Sequence, residues 1–105
     1  MNIQPVMPDK ILDFEKSALF VRITQHVGKA LNIMKSRGWK QRELEENFGI
    51  PGPLVTVYGN WKKYKRKISE DDFRKCLQAN IVTMDGVLHN CVETDKELKF
   101  LQEFK

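Results

Sequence analysis

The sequence has no apolar run near the about 20 residues needed to cross a bilayer, so no membrane-spanning segment is expected. Its opening stretch, MNIQPVMPDK, lacks the basic region and apolar core of a secretory signal, and a cytoplasmic location is the simple expectation. Cysteine is scarce. Cys76 and Cys91 each sit among apolar residues at helical spacing and are expected to be small buried hydrophobes, not a disulfide. His26 and His89 are far apart and form no ligand pattern with them, so no metal and no other cofactor is expected. No acid–base pair, no nucleophile beside a base and no phosphate loop occurs at a useful spacing, which argues against an enzyme. Apart from the ambiguous Leu54-Val55-Thr56-Val57-Tyr58 there is no alternating strand pattern, and there are no repeats or low-complexity tracts.

What the chain does have is charge, unevenly placed. Residues 1–67 carry 13 Lys/Arg against 6 Asp/Glu, a net of +7, whereas residues 68–105 carry 5 against 8, a net of −3. A basic first part and an acidic end suggest that one face meets a polyanion. The basic residues concentrate in Trp61-Lys62-Lys63-Tyr64-Lys65-Arg66-Lys67. With 105 residues the chain is long enough for one modest core, and domains this small often gain stability by dimerising.

The apolar spacing predicts an all-α fold, a small bundle of about five helices. Pro5 and Pro8 make residues 1–12 an N-terminal arm. From about Asp13, Leu19, Ile23, Val27, Ala30, Leu31 and Met34 share one helical face, and Gly38 ends that helix. A short helix follows from about Lys40 to Phe48, with Leu44 and Phe48 inward, Trp39 as a staple and Gly49 as a left-handed stop. The next begins at Pro51 or Gly52, since proline is tolerated in a first turn, and ends near Gly59 to Lys62 with Val55 and Tyr58 inward. Lys63 to Ile68 then form a loop or ragged helix end. Ser69, Thr83 and Thr94 each stand where a helix N-cap is needed. Their helices turn Phe73, Cys76 and Leu77, then Val87, Leu88 and Cys91, then Leu98, Leu101 and Phe104 inward.

Two short helices joined by a tight turn and followed by a cationic segment suggest nucleic acid. Residues 38–58 resemble the helix-turn-helix of the Cro and phage CI-type repressor (XRE-like) family. The likeness rests on Gly38, Gln41, Leu44, the turn Phe48-Gly49-Ile50 and the inward Val55. The continuation to about Asn90 is similar to the rest of the lambda-repressor-like domain. The resemblance implies a domain over residues 13–93 that binds double-stranded DNA as a homodimeric transcriptional regulator, with residues 94–105 as a further helix available for dimerisation. Leu98, Phe100, Leu101 and Phe104, or Ile3 and Val6 of the arm, are the candidate interface.

On that reading Lys40, Gln41 and Arg42 meet a phosphate at the first motif helix. Gly52, Pro53, Thr56, Val57 and Asn60 face the major groove, where Thr56 and Val57 can touch a thymine methyl and Asn60 can pair with adenine. Lys62, Lys63, Lys65, Arg66 and Lys67 supply affinity through phosphates. Trp61 is expected in the core rather than stacked on a base. Two positions depart from the family pattern. Glu45 stands where a small residue lets the two helices approach, so the helices splay or Glu45 turns to solvent. Pro51-Gly52-Pro53 offers no side chain that reads a base. These departures keep two alternatives open: a protein-interaction module of the same fold without base readout, and an RNA-binding adaptor.

Overall fold

Four apolar residues spaced by four, Leu19, Ile23, Val27 and Leu31, define the axis of the molecule, and all four are fully buried. The computed structural model describes residues 10–104, apart from the side chains of Pro53 and Leu54. Among these residues there are seven helices and no strand: α1 (Asp13–Ser36), α2 (Gln41–Phe48), α3 (Gly52–Gly59), α4 (Trp61–Tyr64), α5 (Glu70–Gln78), α6 (Met84–Cys91) and α7 (Asp95–Gln102). The all-α expectation holds, and the strand-like residues 54–58 are helical. Six of these seven helices begin where the sequence signals place a helix, including α6 and α7 after Thr83 and Thr94, and α4 is an additional single turn. Ile3, Val6 and most of the expected arm lie outside the described residues. None of the described helices is long and apolar enough to cross a membrane.

The helix ends follow from local chemistry. At the start of α1 the Leu12 N–H donates to the Glu15 carboxylate at 2.9 Å, and at the start of α2 the Lys40 N–H donates to Glu43 at 2.9 Å. Ser69, Thr83 and Thr94 accept from the amides of Asp72, Gly86 and Glu97, as their positions predict. Each such cap contributes about 1 kcal/mol. Gly38, at φ +100°, closes α1: its own N–H reaches the Lys35 carbonyl and that of Trp39 reaches Met34. Gly49, at φ +69°, stops α2.

Helix α1 is the spine on which α3, α6 and α7 pack. Its crossing with α3 is the tightest point of the fold. A Cβ at Gly28 would overlap the Tyr58 carbonyl, so the two backbones meet there directly. Two buried polar groups tie the remaining segments to α1. The Thr24 hydroxyl donates to the Phe20 carbonyl at 2.6 Å and accepts from the Ile68 N–H at 2.8 Å, pinning the end of the basic segment. Arg22 donates through Nε to the Cys91 carbonyl at 2.7 Å, and its Nη2 lies 2.6 Å from the buried carboxylate of Glu97. That last approach is off the N–H direction and makes an ion pair, not a hydrogen bond.

Helix α7, expected as a separate element for dimerisation, is spent on this core. Leu101 is buried, and the rings of Phe100 and Phe104 pack with Phe20 and Phe73 at centroid distances of 5.2 to 6.5 Å. The apolar surplus read from the sequence is therefore largely consumed within the chain, leaving Phe14 as the most exposed large apolar side chain among the described residues, at 72%.

Gly28→Ala tests the spine. Alanine favours an exposed helix interior by about 1 kcal/mol over glycine. Overpacking against backbone typically costs about 1–3 kcal/mol. A net loss of stability in urea denaturation is expected; a gain would mean that α3 does not rest on Gly28.

Candidate nucleic-acid interface

The α2–turn–α3 unit is built on Leu44, Ile50 and Val55, all buried, with Tyr58 closing the far end. Trp39 packs on Phe48 at 5.4 Å, the staple expected before α2. The Tyr58 hydroxyl donates to Asp72 at 2.7 Å, and burial followed by that bond raises its pKa. Thus α3 is fixed both to α1 and to α5.

Above this apolar seam lies a polar one. In Pro51-Gly52-Pro53 only Gly52 has a backbone N–H, and it donates to the Glu45 carboxylate at 3.1 Å. A Cβ at position 52 would stand 2.6 Å from that carboxylate and 2.9 Å from the Gln41 amide nitrogen. One turn further, the Thr56 hydroxyl donates to Gln41 Oε1 at 3.2 Å. Of the two expectations for Glu45, the splaying of the helices is corrected, since α2 and α3 stay in contact; the residue is exposed, and its carboxylate folds over the start of α3. Glycine at 52 leaves the room, and the lone amide supplies the attraction.

The other predicted contact residues fall into distinct groups. Lys40 and Arg42 are exposed at the start of α2, but the Lys40 N–H is taken by Glu43 and Arg42 pairs with Glu46 at 2.9 Å. Gly52 is buried, which corrects its assignment to the groove, and the Pro53 side chain lies outside the described residues. Val57 is half-buried and packs against the core, which leaves only part of its side chain to face a groove. Thr56 is half-buried; Asn60 is exposed, with its amide donating to the Thr56 carbonyl at 3.3 Å.

Lys62, Lys63, Lys65, Arg66 and Lys67 are all exposed, and none forms an ion pair with a carboxylate among the described residues. Lys65 takes the left-handed conformation, φ +54°, that ends α4, and Lys67 donates to Ser17 Oγ at 2.6 Å. With Ile68 buried and bonded to Thr24, the cationic segment is laid back along α1 and held at both ends.

Trp61 does not belong to the core, contrary to expectation. Tyr58 and Ile68, on either side of it in the chain, take the interior positions, while the indole lines a groove of about 380 Å³ between α1 and the α3–α4 junction. Gln25, Lys29 and Asn32 form the α1 side of that groove. Sequence reading missed them; the usable signal was Gly28, which marks where another backbone reaches α1. Elsewhere the cysteines behave as expected: burial pushes the Cys76 thiol up to about 12 and Cys91 to about 11. His26 is lowered by burial and by Lys29. Among the described residues no three His, Cys, Asp or Glu gather to hold a metal.

Glu45 gives the sharpest local test. Glu45→Ala is expected to cost about 1 kcal/mol in urea denaturation by uncapping α3. Glu45→Gln keeps the acceptor but removes the charge, so it should retain most of the stability and, if α3 approaches a polyanion, tighten duplex binding in fluorescence anisotropy. Unchanged stability in Glu45→Ala would remove the capping role.

No protein-family model, no curated protein and no solved structure matches this chain.

Proposed function

We propose that the protein is a double-stranded DNA-binding transcriptional regulator of phage or bacterial type, acting in the cytoplasm as a homodimer and not as an enzyme. The observation that supports this most is the cationic segment: five exposed cations follow α3 directly, unpaired with carboxylates among the described residues and anchored through Ile68 to Thr24. With α3 against the major groove, that segment reaches the phosphates at its rim. Affinity comes mainly from these phosphates. Base discrimination rests on Thr56 and Asn60 and on the shape of the DNA.

A second reading has its own support. Gln41, Glu45, Gly52 and Thr56 satisfy one another, and a carboxylate covers the start of α3. Such a seam suits a protein-interaction module that keeps the fold without reading bases.

Two measurements separate the readings. Lys63→Ala, Lys65→Ala and Arg66→Ala together should weaken binding to every duplex alike and lower the salt slope by up to about 2.7, at about 0.9 counterion per phosphate contact. Thr56→Ala with Asn60→Ala should leave the slope nearly constant and narrow sequence preference by roughly 1–3 kcal/mol. If that pair changes neither affinity nor preference, the interaction module takes the lead.

The dimer carries its own test. Two copies about 34 Å apart on one face of a duplex are needed for useful discrimination. With α7 spent on the core, the exposed Phe14 at the start of α1 is the proposed contact. Sedimentation should show a dimer that Phe14→Ser dissociates; a monomer with and without DNA sinks this part of the proposal.

A further inference from the structure

We infer that the groove beside Trp61 binds one unstacked nucleotide, with its base against the indole and its phosphate between Lys29 and Lys62. This site lies apart from the α2–α3 seam and shares only Asn60 and Lys62 with the proposed duplex contacts, while Trp61 and Lys29 belong to it alone.

Three observations converge on it. The first is the position of Trp61. The ring is only half-buried, does not pack against the core, and makes no ring contact or hydrogen bond among the described residues. A large aromatic left at a surface groove offers a face on which any base can stack.

The second is charge. Lys29 and Lys62 line the same groove, and among the described residues neither pairs with a carboxylate and no acidic side chain lines it. The charge of a phosphate is thereby favoured, and a cationic ligand is disfavoured.

The third is shape and polarity. The groove measures about 380 Å³, within the range of small-ligand sites, and Gln25 and Asn32 bring amides to its α1 wall. Asn32 is held in place by its own bond to the Gly59 carbonyl at 3.2 Å. The floor is the Gly28–Tyr58 crossing, so the walls are set by packing within the fold.

The chemistry excludes a paired base. Inside a duplex the faces of each base are covered by its neighbours, and the indole cannot reach them without extrusion. The ligand is therefore a nucleotide in a single strand or a free nucleotide. The single strand is favoured by continuity, since Lys62 both lines the groove and begins the cationic segment that runs on to Lys67. A strand with one base in the groove has a row of cations for its following phosphates.

The test uses the full chain with Trp39→Phe, which leaves Trp61 as the sole tryptophan. Its emission is titrated with a short oligothymidylate, the corresponding duplex with oligoadenylate, adenosine monophosphate and sodium phosphate. Saturable quenching by the oligothymidylate is expected, with none from sodium phosphate. Quenching by adenosine monophosphate as well identifies the nucleotide unit as sufficient; quenching by the oligonucleotide alone shows that the neighbouring phosphates are needed.

In anisotropy measurements Trp61→Ala should weaken oligothymidylate binding roughly 5- to 150-fold, the worth of one stacked base. Lys29→Glu, at an exposed position that leaves the core untouched, should weaken it in the same direction. The inference is overturned if both variants bind the oligothymidylate within twofold of the parent, or if sodium phosphate quenches Trp61 as the oligonucleotide does. Failure of the parent to bind any duplex would overturn the regulator reading and leave this site standing.

Discussion

The absence of a side chain at Gly28 is the constraint on which the rest of the structure hangs. Because the Tyr58 carbonyl occupies the space a Cβ would need, α3 lies directly on the middle of α1. Everything after α3 inherits that placement. The chain leaves Gly59 on the surface of α1, turns once through α4, and returns along α1 until Ile68 is buried and its amide reaches Thr24. The segment that carries the cations is therefore held against α1 by a backbone crossing and by the anchors at Lys67 and Ile68. The same crossing floors the groove that Trp61 overlooks.

A second feature explains how an apparently unsuitable helix start is made stable. Pro51 and Pro53 remove two of the four first-turn donors, and Glu45 satisfies the one between them at Gly52. The arrangement exchanges one capability for another. A helix start that is closed by a carboxylate is well ordered, but it is a poorer seat for a phosphate than a bare one. With that start closed, Thr56 and the following Asn60 are the polar side chains at the outer face of α3 and its end, and the exposed cations lie beyond them at residues 62–67.

Aromatic packing settles what α7 is for. Phe100 and Phe104 complete a cluster around Phe20 and Phe73, and Arg74 lies over the Phe104 ring at 4.5 Å. The Arg22–Glu97 pair secures the same helix from the opposite end of its first turn, together with Lys96 and Glu15 at 3.6 Å. Removing Glu97 alone would leave the mostly buried Arg22 with only the exposed Glu93, at 3.5 Å, as its carboxylate partner among the described residues. Helix α7 is thus integral to the domain core.

Much of this was legible in the residues. The i, i+4 series Leu19, Ile23, Val27 and Leu31 requires a helix with one buried face, and Ser69, Thr83 and Thr94 can cap only the residues that follow them. Gly38 and Gly49 end helices because their left-handed conformations cost other residues energy. These are local rules, written in spacing and side-chain chemistry. Three other outcomes depended on how separate segments pack against one another. Glu45 reads as an obstacle until Gly52 is opposite it, and Trp61 reads as core until Tyr58 and Ile68 have filled that space. Phe100 and Phe104 read as surplus until Phe20 and Phe73 surround them. Periodicity assigns a residue to a face of its own helix, but only the packing of that helix against others decides whether the face is covered, and by what.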